Sequence, residues 1–223
     1  MIIREGIAKI GGKSIISNKL IPLNTANEEF KMLMSLYSKA ELKLLENLNF
    51  LKEYLKEIYD YDVINNIVSR IKTPASIINK MKKKGYEVTY ENLINNINDI
   101  AGIRVICTFK NDISKIRDII LNMPNVRILK EKDYLTKSKR SGYTGYHIIL
   151  ETDVEYEGEK YPMKVEIQLR SMAMDFWSTL EHKIKYKSKH KLSNKDSKKL
   201  QVYAKVINII EDKMIKIYQK QLK

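Results

Sequence analysis

The sequence predicts one α+β or α/β domain, with a sheet of four or five strands flanked by helices. Three observations carry this reading. A leucine-rich stretch at helical spacing follows a helix start signal near Thr25, the middle of the chain switches to alternation with a period of two, and after Ser171 the pattern returns to helix. Hydrophobic residues make up 43% of the 223-residue chain, enough for a core, and charged residues 30%, ordinary for a soluble surface.

Taken in order, residues 1–23 show no clear period and hold three of the eight glycines, so a mobile arm is expected there, followed by one domain over 24–223. Gly12-Lys13-Ser14 looks like the end of a phosphate-binding loop, but position 7 is Ile rather than Gly and no strand precedes it, which excludes that motif. Thr25-Ala-Asn-Glu28 has the form of a capping box, and Leu42, Leu45, Leu48 and Leu55, with Phe50 and Tyr54, continue a helix to about Tyr59. Thr73-Pro74 opens a second helix, since proline suits the first helical position, and Gly85 closes it. Ile103, Val105 and Cys107 alternate with Arg104, Ile106 and Thr108, which predicts a strand over 101–108. A helix over 111–122 and strands over 125–130, 146–156 and 160–170 follow, the last two joined by a Glu157-Gly158 hairpin signal. Helices are expected over 172–187 and from about 195 to the end.

Composition narrows the function classes. Cys107 is the only cysteine, which rules out an internal disulfide and fits a reducing compartment. No N-terminal apolar run is long enough for a signal peptide and none approaches a membrane span, so a cytoplasmic protein without membrane partner is expected. The net charge of +14 points to a polyanionic partner such as nucleic acid or nucleotide phosphates. A biased genome could also enrich Lys, Ile and Asn, so charge alone decides little.

Chemistry concentrates in four places. On strand 160–170, Lys164, Glu166, Gln168 and Arg170 share the face opposite Val165, Ile167 and Leu169. A solvated face is the commoner explanation, yet a carboxylate, an amide and two cations suit metal and phosphate better than water. Asp99 stands two residues before the strand that carries Arg104; a lone Asp there is usually a turn residue. Beside Glu166 on a neighbouring strand it would complete a two-carboxylate site for a hard cation, and Mg²⁺ is typically held by one or two carboxylates plus substrate phosphates. Ser76 and Lys80 lie on one helix face, with Arg70 and Lys72 ahead of the helix N-terminus, an arrangement suited to polyphosphate, though a basic surface helix is the commoner case. Finally SGYTGYH, residues 141–147, sets two tyrosines in a turn after Lys137, Lys139 and Arg140, where turn dihedrals would favour smaller residues.

These stretches together carry a resemblance. RIKTPASIINK, DIAGIR, KRSGYTGYH, VEIQLR and AMDFWSTLEHKIKYK run in order from Arg70 to Lys187, and the chain so resembles the RelA/SpoT-type alarmone synthetases, in length the small single-domain members. The resemblance implies a nucleotidyltransferase-like mixed sheet. It implies transfer of the β,γ-pyrophosphate of ATP to the ribose 3′-hydroxyl of GDP or GTP, giving ppGpp or pppGpp plus AMP in the stringent response, with Mg²⁺ as cofactor. On it, Arg70 and Arg104 sandwich the adenine, and Lys72, Ser76 and Lys80 grip the ATP phosphates. Asp99 and Glu166 hold Mg²⁺, and Glu166 activates the 3′-hydroxyl. Tyr143 stacks on the acceptor guanine, with Lys139, His147 and Gln168 beside it, and the loop's glycines let it lie close to the base. A phenylalanine at 143 would then recover most of that stacking, whereas Tyr146, alternating with His147 at a strand start, reads as core packing. A homotetramer is implied by the same likeness. Two departures stand out: Lys132 where the family often has Arg, and Asp175 where some small members carry Asn. The three histidines, His147, His182 and His190, all come late, so no histidine-rich hydrolase domain is expected. The alternative is a toxin-like relative that pyrophosphorylates ATP or the tRNA 3′ end; the basic run 182–199 would then attract RNA, but alternating lysines favour a solvated face.

Overall fold

The computed structural model describes residues 22–187 and 192–221. Most of the expected N-terminal arm and part of the basic run therefore lie outside the described residues. The arm's last two residues are tied down: Pro22 bridges Thr89, and Leu23 N–H donates to the Val88 carbonyl at 2.9 Å.

The elements run α1 (Glu28–Tyr59), β1 (Ile64–Ile71), α2 (Pro74–Lys83), α3 (Tyr90–Asn96), β2 (Ala101–Cys107), α4 (Asp112–Leu121), β3 (Val126–Asp133), β4 (Tyr146–Tyr156), β5 (Glu159–Ser171), α5 (Met172–Lys187) and α6 (Asn194–Gln221). The strands form one mixed sheet in the order β1-β2-β5-β4-β3, with β2 and β5 parallel and every other pair antiparallel. This is the helix-flanked α+β sheet, with five strands.

Local chemistry explains the boundaries. The cap of α1 is Asn27, whose Oδ1 accepts the Phe30 N–H at 3.0 Å, so the capping box expected at Thr25 does not form. Thr73 caps α2 with Pro74 at its first turn. Gly85, at φ +74°, ends it in a Schellman turn in which Tyr86 N–H reaches the Met81 carbonyl at 3.0 Å. Glu157 and Gly158 both take positive φ in the two-residue hairpin between β4 and β5.

Two elements are additional to the sequence reading. Strand β1 sits at the sheet edge, is bulged between Ile64 and Asn66, and leaves most side chains half-buried or exposed, so no clean alternation marks it. Arg70 consequently lies on a strand, and not in a lead-in to α2 as expected. Helix α3 has seven residues, too few for a periodic signal.

The sheet divides the molecule by face. Ile103, Val105, Ile148, Leu150, Val165, Ile167 and Leu169 turn to one side and are buried in a single core with Leu33, Leu36, Leu44 and Leu48 of α1 and Ile113, Ile116 and Ile120 of α4. The opposite face carries the polar residues. Helix α5 contacts β5 and β2, and α6 packs on α5, where Trp177 Nε1 donates to the Leu200 carbonyl at 3.1 Å. The far end of α6 is pinned by Glu211, which accepts the Lys110 N–H at 2.9 Å, and by Tyr218, whose ring lies 5.1 Å from Phe109.

Candidate active site

Strand register gathers the candidates. Gly102 is paired with Arg70 on one side and Glu166 on the other; Arg104 is paired with Val68 and Gln168; and Gln168 is paired across β4 with His147. Directly paired residues share a face, so β1, β2, β5 and β4 together present Arg70, Arg104, Glu166, Gln168 and His147 on the side away from the main core. A pocket lined by Arg70, Asp99, Arg104, Glu166 and Gln168 opens there. The expected neighbourhood of Asp99 and Glu166 is realised, because β2 begins two residues after Asp99 and runs parallel to β5.

Asp99 is held from the α2 side. Lys72 Nζ and Lys80 Nζ reach its Oδ2 at 3.1 and 2.5 Å, and the Lys72 N–H donates to the Ile100 carbonyl at 2.8 Å. Burial pushes the carboxyl up, but the two lysines outweigh it and hold Asp99 below the usual carboxylate range. Both cations among the three residues expected on phosphate are thus held by a carboxylate, while the Ser76 hydroxyl bonds the Thr73 cap at 2.9 Å.

Glu166 belongs to a closed ring of hydrogen bonds. Arg170 Nε donates to the Tyr143 hydroxyl (3.2 Å), which donates to His147 Nε2 (2.6 Å); His147 Nδ1 donates to Glu166 Oε1 (3.2 Å). Gln168 Nε2 donates to Glu166 Oε2 (2.8 Å), and Arg170 Nη2 returns to Gln168 Oε1 (3.0 Å). The carboxylate can only accept, which assigns the proton to Nδ1 of a neutral His147. Burial lowers the His147 pKa against the pull of Glu166, and keeps the ring neutral at pH 7. Burial raises Glu166, but the bonds from His147 and Gln168 prevail and hold it well below the usual range.

Tyr143 does not occupy the open turn expected of it. Its ring is 8% exposed, with Lys139 Nζ 4.7 Å and Arg170 Cζ 5.0 Å from the centroid, and it clusters with Trp177 and Ala204. The glycines serve that packing. At Gly142, φ is +93° and a Cβ would come within 3.0 Å of the Ala204 Cβ. At Gly145 a Cβ would meet the Tyr143 hydroxyl at 2.9 Å. In this arrangement the ring presents no free stacking face, and its hydroxyl has two partners. Lys139 lies between Tyr134 and Tyr143, with Nζ 4.4 Å from the Tyr134 ring. Tyr146 is buried as expected, its hydroxyl on Glu131.

Asp175 is the residue whose role the sequence reading missed. Its Oδ1 accepts from Arg104 Nη1 at 3.2 Å and from Arg170 Nη1 at 3.0 Å, joining the pocket to the ring of bonds around Tyr143. An acid in the first turn of a helix reads locally only as a partner for the helix dipole, so no sequence signal marks it as a bridge.

The donor set suits a hard cation. Asp99 Oδ1 is buried without a partner in the same pocket that Glu166 lines, and carboxylate oxygens are the ligands Mg²⁺ prefers. Among the described residues no group of three or more His, Cys, Asp or Glu could hold a metal, so substrate oxygens would have to complete the shell.

Known proteins share this architecture. The family model described as a region found in RelA/SpoT proteins matches residues 69–191. The GTP pyrophosphokinases YwaC and YjbM of Bacillus subtilis (strain 168) are 34% and 30% identical, over 87% and 89% of this chain and 93% and 86% of their own lengths. The structure of small alarmone synthetase 1 from Bacillus subtilis bound to its product pppGpp matches with a TM-score of 0.79 at 27% identity, covering 87% of this chain and 98% of that one. Small alarmone synthetase 2 from the same organism matches with a TM-score of 0.77 at 32% identity, over 86% and 100%. This chain belongs to the RelA/SpoT family.

Proposed function

We propose that this protein is a GTP pyrophosphokinase, transferring the β,γ-pyrophosphate of ATP to the 3′-hydroxyl of GDP or GTP and so making ppGpp or pppGpp and AMP. The observation that carries the reading is the pairing of Asp99 and Glu166 in one pocket with Arg70 and Arg104, in a chain whose relatives are named for this activity. The 3′-oxygen attacks the β-phosphorus, the bond to the α,β-bridging oxygen breaks, and AMP leaves. Such transfers need positioning and charge neutralisation rather than a covalent nucleophile. Arg70 and Arg104 offer planar guanidinium faces to the donor base. Lys72 and Lys80, released from Asp99, would meet the phosphates. Asp99 and Glu166 would hold Mg²⁺, which supplies neutralisation of charge on the transferring group. Glu166 is ionised at neutral pH and fixed by His147 and Gln168, so it orients the attacking hydroxyl and takes its proton as the new bond forms. Lys139, Gln168 and a reoriented Tyr143 serve the acceptor.

We further assign the protein to the cytoplasm and to a homotetramer. The exposed apolar residues Phe176, Leu180 and Ile184 of α5 and Tyr203 and Val206 of α6, which line one groove, support self-association. The activity is tested by incubating the chain with ATP and Mg²⁺ plus GDP, GTP or tRNA and resolving products by chromatography. Alarmone should form with a guanine acceptor, and Glu166→Gln, a nearly isosteric loss of charge, should abolish it. Glu166→Gln turnover within a few-fold of wild type would remove Glu166 as ligand or base; product on tRNA alone would select the toxin-like alternative.

A further inference from the structure

We infer that Asp175 and Arg170 are positioning residues, forming a bridge through which a donor nucleotide on Arg104 frees Tyr143 for the acceptor. The inference rests on the donor role of Arg104 given above. A single oxygen, Asp175 Oδ1, serves both arginines, at 3.2 Å from Arg104 Nη1 and 3.0 Å from Arg170 Nη1. Arg170 in turn holds the Tyr143 hydroxyl through Nε, at 3.2 Å, and covers its ring. Three polar contacts therefore separate the donor pocket from the loop that must supply the acceptor's stacking face.

The contacts compete. Arg104 is under-satisfied: its Nε is buried without a partner, and burial together with the adjacent Arg170 disfavours its charge. A donor base stacking on its guanidinium draws Arg104 from Asp175. The carboxylate then has one cation instead of two and engages Arg170 more fully, since charge-assisted bonds between guanidinium and carboxylate are stronger than those to a neutral phenol. Arg170 follows by giving up the Tyr143 hydroxyl, and Tyr143, 8% exposed, loses one of the contacts that cover it. Donor binding thus opens the acceptor site, and by linkage the acceptor must tighten the donor by the same factor.

Trp177 is placed to report this. It is the sole tryptophan, lies on the same helix as Asp175, and its Cζ2 would stand 3.4 Å from a Cβ at Gly142 in the loop. The experiment measures the Kd of GDP with and without an ATP analogue that cannot transfer its pyrophosphate, in wild type, Asp175→Asn and Asp175→Glu. In wild type the analogue should tighten GDP by about fivefold or more, the lower range of measured couplings. In Asp175→Asn the factor should fall to within about twofold, and Asp175→Glu, which keeps a carboxylate, should recover part of it. The analogue alone should also change Trp177 emission in wild type but not in Asp175→Asn or Arg170→Lys. Undiminished coupling in Asp175→Asn, or no coupling and no emission change in wild type, overturns the inference while leaving synthesis by wild type intact. A wild-type chain that makes no alarmone overturns the functional reading and this inference with it. Should Asp175→Asn unfold, the wild-type emission change and Arg170→Lys decide the question alone.

Discussion

Tyr143→Phe separates the two accounts of the SGYTGYH loop. If the ring serves only to stack on a base, losing the hydroxyl costs nothing in the free protein. The structure gives the hydroxyl two buried partners, His147 Nε2 at 2.6 Å and Arg170 Nε at 3.2 Å. Phenylalanine leaves both without it. A buried polar group deprived of its partner costs about 1–3 kcal/mol. In a chain of this size each kcal/mol moves the melting temperature by about 2–4 °C, so a fall of roughly 2–12 °C for each group left without its partner is expected. The acceptor KM should not worsen, because the same loss weakens the closed loop that hides the ring. Tyr143→Ala should lose the stacking face as well, worth about 1–3 kcal/mol or one to two decades in acceptor kcat/KM. The assay is thermal unfolding followed by circular dichroism, paired with acceptor kinetics. A Tyr143→Phe protein that melts with wild type would show that the hydroxyl is not engaged in the free protein, and the closed-loop account would fail.

Three further outcomes follow from the same geometry. Arg104→Ala should weaken ATP by about two- to thirtyfold, the span of a cation–π contact, and GTP much less; equal losses in paired titrations would mean the side chain supplies charge only. Gly142→Ala should lower the melting temperature, since φ is +93° and the new methyl would press on Ala204 at 3.0 Å and on the Gln201 Cα at 3.2 Å; an unchanged melting temperature would show that α6 does not hold the loop. Two buried carboxylates should give opposite pH signatures. Glu166 lies below its unfolded value, so its contribution is full above about pH 4.3 and drains as the pH falls towards about 2. Glu211 is raised by burial, so ionising it costs stability at neutral pH and that cost vanishes on acidification below about pH 4.3. Glu211→Gln should therefore stabilise at pH 7 and be neutral near pH 4, whereas Glu166→Gln should destabilise at pH 7 and lose that effect in acid. Melting curves that shift in parallel at every pH would refute both assignments.

The elements legible in the sequence were those whose signal is local. The Thr73-Pro74 start, the Gly85 stop and the Glu157-Gly158 hairpin are each set by backbone chemistry within a few residues, and each stands where it was expected. Strand β1 was not legible because an edge strand with a bulge needs no alternation, and Asn27 took the cap because its carboxamide also accepts from Tyr90 OH at 2.7 Å, a partner 63 residues away. Propensity cannot see such a partner.

The site divides along the same line. Glu166, Gln168 and Arg170 share a face because a strand has period two, and this is readable in any strand. What surrounds them depends on the strand order β1-β2-β5-β4-β3, which brings Arg104 from one side and His147 from the other onto Gln168. Neither neighbour is implied by spacing along the chain. The motif blocks named the residues, yet could not say that Lys72 and Lys80 rest on Asp99, or that Tyr143 is turned inward onto His147. Both departures have one physical cause. A site designed for a polyanion and a base holds a surplus of cations and an aromatic face, and in their absence those groups satisfy one another. The lysines neutralise the nearest carboxylate, and the tyrosine closes over the cationic side chains. Substrate must therefore exchange contacts rather than add them, and its affinity is reduced by whatever the closed arrangement is worth. Asp175, shared between Arg104 and Arg170, is where the exchange on the donor side meets the exchange on the acceptor side.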